Sequence, residues 1–329
     1  MDTTDLQHQL FTIIKKKLPV SVSLVDELSD VLNIGSDSVY RRVRGEKEIT
    51  VTELKLLCER YSISLDQLLQ LKTDSVIFSS PELNVDHLPI DKYLTGILQQ
   101  LKYFNSFKNR KLMYLSKDAP VFHFYVFPEI AAFKSFFWAK TIMNQDGFHH
   151  RKFSLADSDG LESYQKGIQI IREYNEIPSV ELWSYESINS TFSQIEFYRD
   201  AGMFNTKDDL IAVLDSLTRM LDHLQLQAEK GYKFLPGSTD VGYRAPFELY
   251  LNEVVIGSNT IHTELDDLRL TFVTYNVLHY MHTSDQRFTK KAFENFELLI
   301  SRSTLISATG EKDRNKFFQL LRDKVEACR

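Results

Sequence analysis

Leu28-Ser29-Asp30-Val31-Leu32-Asn33-Ile34-Gly35-Ser36-Asp37-Ser38-Val39-Tyr40-Arg41-Arg42-Val43-Arg44-Gly45 is the stretch on which the reading of the N-terminal fold turns. Leu28, Val31 and Leu32 close the apolar side of one helix. Asn33 follows, where a tight turn needs a residue that tolerates positive φ. Ile34 is placed to pack back beneath that turn. Gly35 and Ser36 open a second helix, whose Val39 and Val43 stand four residues apart on one inward face. Gly45 ends it.

The flanks extend the pattern. Residues 5–18 read as a first helix with Leu6, Leu10, Ile13 and Ile14 on one side, interrupted at Pro19. Ser23 caps the next helix, with Asp26 and Glu27 in its first turn, where acidic side chains meet the positive end of the helix dipole. Thr50 and Glu53 form a capping box for a helix over 50–61 that turns Leu54, Leu57 and Cys58 inward. Ser64 and Gln67 form a second box, opening a short helix that ends near Leu71. Residues 1–72 are therefore expected to be an all-α domain of five short helices, the third beginning near Ser36.

This arrangement resembles the Cro/repressor-type, or XRE, helix-turn-helix family. Leu28, Ser29, Leu32, Asn33, Ile34, Val39 and Gly45 stand at its motif positions, and the later helices from Thr50 and Ser64 are similar to its fourth and fifth. The chain departs from the family pattern at Ser29, Asn33 and Gly35. Arg42 takes a place often held by an aromatic or aliphatic residue, and the expectation is that this side of the third helix is more exposed here. The resemblance covers about one fifth of the chain and implies sequence-specific binding of double-stranded DNA.

A major groove admits one α-helix, and residues near its N-terminus reach the base edges. With Val39 and Val43 inward, Ser36, Asp37, Tyr40, Arg41 and Arg44 project outward, and Ser38 is intermediate. Arg41 is the candidate for a bidentate contact to a guanine. Tyr40 suits a thymine methyl or a phosphate, and Asp37 suits cytosine N4 or the orienting of Arg41. Arg44, Lys47 and Ser23 suit phosphates, which fix register without reading sequence. Lys15, Lys16 and Lys17 either add to this or form a solvated helix end.

Residues 73–89 carry two prolines and several turn formers and read as a linker, with Val76, Ile77 and Phe78 able to dock on a neighbour. Residues 90–329 read as a larger α+β domain. Helices are expected at 91–105, 128–143, 161–175, 187–201, 206–230, 288–303 and 311–326. Strands are expected at 111–115, 180–184, 247–254, 259–265 and 268–275, the last two flanking a hairpin tip at Asp266-Asp267. In 206–230, Leu210, Leu214, Leu217, Leu221, Leu224 and Ala228 recur at steps of four and three, which suits either a dimer seam or a core helix. This half loosely resembles the C-terminal regions of Bacteroidetes-type bacterial regulators, which brings no known ligand.

The net charge of −6 does not mark a general nucleic-acid binder. Residues 1–72 are nearly neutral, with ten Lys/Arg against eleven Asp/Glu, so specificity is expected from geometry and dimerisation. The two cysteines, Cys58 and Cys328, lie far apart and form no ligand or disulfide pattern, which fits a reducing, cytoplasmic compartment. No signal peptide or membrane span is expected; the apolar stretch 121–143 contains Glu129, Lys134 and Lys140 and reads as a core helix with its approach.

His149-His150 and His279-x-x-His282, placed just after a strand, lack third and fourth metal partners, so neither metal nor cofactor is expected. The aromatic zone Trp183, Tyr185, Phe192, Phe197 and Tyr198 suits core packing or a ligand pocket. The layout faintly resembles phospholipase D-like domains, whose nucleophile needs a His-x-Lys pattern; that pattern is read as missing, so such a match would be non-catalytic. The chain is thus expected to be a non-enzymatic, homodimeric regulator binding a near-palindromic operator, with a C-terminal domain for dimerisation or for sensing a small-molecule or protein effector. The alternatives are a helix-turn-helix interaction protein that binds no DNA, and a regulator carrying a degenerate enzyme domain.

Overall fold

The computed structural model describes residues 3–18, 22–61, 63–69, 75–80, 89–238, 244–254 and 256–329. The chain divides into two compact units, Met1–Ile77 and Phe78–Arg329. Residues 78–80 therefore belong to the larger one. Most of the expected linker, including Pro81, lies outside the described residues, as do Pro19 and the end of the fifth helix; Pro89, its last residue, is the N-cap of the helix over Ile90–Asn105.

The first unit holds α1 (Thr3–Lys17), α2 (Leu24–Leu32), α3 (Ser36–Val43), α4 (Val51–Arg60) and α5 (Leu65–Leu69). Its core joins Leu10, Phe11 and Ile14 from α1 to Leu28 and Leu32, Val39, Leu57 and Leu68. Each helix buries one apolar stripe, since an isolated helix this short is marginal in water. The local signals act as their chemistry requires. Ser23 caps α2 by accepting from the Asp26 amide, and Asn33 closes it in the left-handed conformation at φ 52°. Thr50 and Glu53 make a reciprocal capping box on α4. The side chain of Gln67 is outside the described set.

The second unit is a mixed seven-stranded sheet, in the order β6-β5-β4-β1-β2-β3-β7, with helices on both faces. The strands are β1 (Arg110–Leu115), β2 (Ser179–Trp183), β3 (Phe247–Leu251), β4 (Thr260–Leu265), β5 (Leu268–Thr274), β6 (Tyr280–Thr283) and β7 (Thr304–Leu305). β1, β2 and β3 run parallel, and antiparallel strands complete both sides. The helices are α6 (Ile90–Asn105), α7 (Pro128–Phe137), α8 (Ser158–Asn175), α9 (Asn189–Asp200), α10 (Lys207–Lys230), α11 (Gln286–Ser301) and α12 (Glu311–Ala327). A 3-10 turn over Val121–Tyr125 precedes α7, and a π turn over Trp138–Ile142 continues it. The unit is α+β, as the sequence implies.

Side-chain alternation sorts the sheet's two faces. Leu112 and Tyr114 of β1, with Trp183 of β2, join the main core together with α6, α7, α8, α10 and α12. Met113, Val180 and Leu182 point the other way and pack with Phe293 and Phe296 of α11. The leucine row of α10, from Leu210 to Ala228, is buried throughout within this unit. The helix is therefore a core helix, and that row is not open to serve as a seam between two copies.

The main core encloses a polar cluster. Glu181 of β2 is fully buried and accepts from His123 Nε2 at 2.9 and 3.0 Å, from Trp183 Nε1 at 2.7 Å and from the Tyr174 hydroxyl. Burial raises its carboxyl, but the facing His123 and the hydrogen bonds outweigh this and hold it below the usual carboxylate range. Lys233, also buried, donates to the Tyr174 and Ile177 carbonyls at 2.7 and 2.5 Å and to Ser179 Oγ at 2.8 Å. Glu181 is both paired, with His123, and hydrogen-bonded, while Lys233 is hydrogen-bonded without a carboxylate partner among the described residues, and burial lowers its pKa well below the ordinary lysine range.

Candidate nucleic-acid interface

α2, the turn Asn33–Gly35 and α3 position the candidate residues. The Asn33 amide returns to Asp30 O and the Ile34 amide to Ser29 O, which fixes the angle at which the chain leaves α2. Gly35 is the N-cap of α3 with no side-chain bond, so the first turn of α3 offers amide donors. Val39 is buried to 1% exposure, and Val43 is half-buried. The opposite face carries Ser36, Asp37, Tyr40, Arg41 and Arg44, all exposed, with Ser38 intermediate. Tyr40 is half exposed, which is uneconomical for an aromatic side chain unless something covers it.

Among the described residues, Arg41 makes no ion pair, including with Asp37 one turn before it. Arg44 pairs with Glu46 at 3.0 Å, and both side chains are about half exposed, so little free energy holds that pair closed. Lys47 is exposed just beyond the helix. Ser23 is exposed at the N-terminus of α2, with its hydroxyl engaged at 3.5 Å by the Asp26 amide. Lys15 is exposed, while the side chains of Lys16 and Lys17 lie outside the described set.

Arg42 overturns its expectation. It is buried, not exposed, with 4% of its surface accessible. Its guanidinium donates to both carboxylate oxygens of Glu53, at 2.7 and 3.3 Å, and to the Ser38 carbonyl at 3.1 Å. Where an apolar side chain could fill the space, this chain uses a bidentate ion pair to tie α3 to α4. Glu53 thus serves two roles, since it also caps α4 through the Thr50 amide. Its carboxyl is raised by burial, yet the Thr50 amide and Arg42 bring it below its ordinary value.

Gln7 was not singled out from the sequence and proves central. Its Nε2 donates to the carbonyls of Arg42 and Lys47, at 2.6 and 2.9 Å, and its Oε1 accepts from the Ile49 amide at 3.0 Å. One amide on α1 therefore pins the end of α3 and the loop carrying Lys47. Its partners lie 35 to 42 residues away in sequence, which no local pattern reports.

The other candidates disperse. His279 lies in the connection after β5, stacked on Tyr275, whereas His282 is on a further strand, β6. Of the aromatic zone, Trp183, Phe192 and Tyr198 are buried in the core, while Phe197 is exposed. A His-x-Lys triplet is in fact present at His150-Arg151-Lys152, correcting the sequence reading. Its His and Lys are exposed in the segment between the π turn and α8. Among the described residues, no group of three or more His, Cys, Asp or Glu side chains is placed to hold a metal ion, and no helix is long and apolar enough to cross a membrane. No protein-family model, curated protein or solved structure matches this chain, so the interface rests on its own geometry.

Proposed function

We propose that residues 1–72 are a Cro/repressor-type helix-turn-helix domain and that the chain is a sequence-specific DNA-binding transcriptional regulator. The observation that carries this reading is the split of α3: Val39 and Arg42 are locked into the domain, while Tyr40, Arg41 and Arg44 stand clear on the other side. The eight-residue α3 is short enough to enter a major groove by its first turns. In this reading Arg41 addresses a guanine edge, Tyr40 a thymine methyl or a phosphate, and Ser36, Asp37 and Ser38 the bases nearest the helix start. Arg44, Lys47 and Ser23 hold phosphates.

A near-palindromic operator read by two copies follows from the smallness of one such reader, and their pairing must use a surface other than the buried leucine row of α10. The larger unit serves dimerisation or sensing in a cytoplasmic bacterial protein. The test is a pair of variants measured on operator and unrelated duplexes. Arg41→Ala should lose roughly 1–3 kcal/mol on the operator and relax one base position. Lys47→Ala should weaken binding to all sequences alike and flatten the salt dependence by about one unit. Absence of duplex binding above background would leave an interaction protein as the reading.

A further inference from the structure

In the second unit, α6 does not close fully against the sheet. A cavity of about 660 Å³ remains between the helix and strands β1, β4, β5 and β6, within the roughly 300–1,000 Å³ range of small-molecule sites. Leu112, Ile261 and Phe272 form its floor, Leu101 and Phe104 one wall, and Phe122 an end. This lining is largely apolar, so it favours an occupant with an apolar body.

One polar feature interrupts it. The hydroxyls of Tyr114 and Tyr280 lie 2.6 Å apart, and either can be the donor. Two phenols hold two protons, and their mutual bond uses one. Among the described residues nothing else accepts from the pair, so one O–H remains to be donated at the cavity wall. Burial raises both hydroxyls well above the ordinary phenol range, which keeps them protonated donors at neutral pH. The Glu181 carboxylate acts on Tyr114 and that of Asp118 on Tyr280, and negative potential from both disfavours an anionic occupant. Lys92 also lines the cavity, but it is exposed to solvent.

Gly96 is the second, independent sign. It sits inside α6, where glycine costs about 0.5–1 kcal/mol relative to alanine. A Cβ there would meet nothing within 4 Å. Packing therefore does not require glycine, and its bareness widens the cavity that it lines.

We propose that this cavity binds a neutral, lipophilic small molecule bearing a carbonyl oxygen, which accepts the spare proton of the Tyr114–Tyr280 pair. The inference stands apart from the DNA reading, since it concerns the larger unit alone.

The test is titration of the full chain with prodan, a neutral naphthalene ketone whose emission shifts to the blue in apolar surroundings. Saturable one-to-one binding with blue-shifted emission is expected. The double variant Tyr114→Phe/Tyr280→Phe, which leaves no phenol proton to donate, should weaken it about three- to tenfold, the worth of one net hydrogen bond. The same naphthalene with its carbonyl replaced by a methylene should bind the parent chain as weakly as prodan binds that variant. Gly96→Leu should bring a side chain to the opening and weaken both probes at least tenfold, with a melting temperature no lower than the parent's. Failure of prodan to saturate, or equal binding by the parent and Gly96→Leu, would overturn the site. Equal affinity for the two probes, or no effect of Tyr114→Phe/Tyr280→Phe, would overturn the carbonyl assignment.

Discussion

Arg41 and Arg42 are neighbours with opposite fates, and one helical step of about 100° separates them. Arg41 is exposed, while Arg42 meets Glu53 inside the domain. Removing one partner of a buried pair leaves the other charge uncompensated, so Arg42→Ala should destabilise the first unit by about 3 kcal/mol. Faster amide exchange in α3 and α4 reads this, and exchange unchanged there would contradict the assignment. A second residue-scale consequence concerns His223 and His262, whose rings are buried and held down to about 4 chiefly by desolvation, against an ordinary 6.5. The unfolded chain takes up these protons first as pH falls. Stability present above about pH 6.5 should therefore be lost progressively toward pH 4, by about 3 kcal/mol for each ring. Urea unfolding between pH 7 and 4 measures the slope. Replacing His262 by Gln should make it shallower, and an equal slope in that variant would contradict the assignment.

At the scale of elements, the features that sequence revealed are those fixed within a few residues. The left-handed Asn33, the capping box of α4, and the Asp266 turn between β4 and β5 are local chemistry. Asn33→Ala should cost roughly 1 kcal/mol in the thermal unfolding of the first unit, whereas Asn33→Gly should be tolerated. Equal effects of the two would show that the turn does not depend on positive φ. Elements fixed by distant partners were not legible. β6 is four residues long, half-exposed over three of them, and owes its place to β5 and to a bridge from His282 to Ser79. β7 spans two residues and exists through its pairing with β3. The leucine spacing of α10 specified a buried stripe but not what buries it, and the answer came from α7, α12 and the sheet. For the same reason Gln7 passed unnoticed and Arg42 was misplaced: their partners are 11 to 42 residues distant.

At the scale of the molecule, the chain holds two separately cored units. The first has a small core and an outward-facing basic helix; the second has a large core, a satisfied polar cluster and a cavity. The chain enters the second unit by pairing Ser79 with His282 and setting Phe78 edge-on against Phe288, with centroids 5.2 Å apart. His282 and Tyr280 of that same strand line the cavity, so Ser79 pairs directly beside it. The modest charge of the first unit gives little indiscriminate attraction to DNA, so in the proposed reading sequence discrimination comes from α3 and from pairing of copies.

Selection of random double-stranded oligonucleotides with the full-length chain tests the central claim most directly. The account predicts enrichment of a near-palindromic sequence with half-sites about one helical turn apart, and a change confined to one position of each half-site when Arg41→Ala is used instead. Recovery of no preferred sequence, or of the same sequence at undiminished strength with Arg41→Ala, would contradict it.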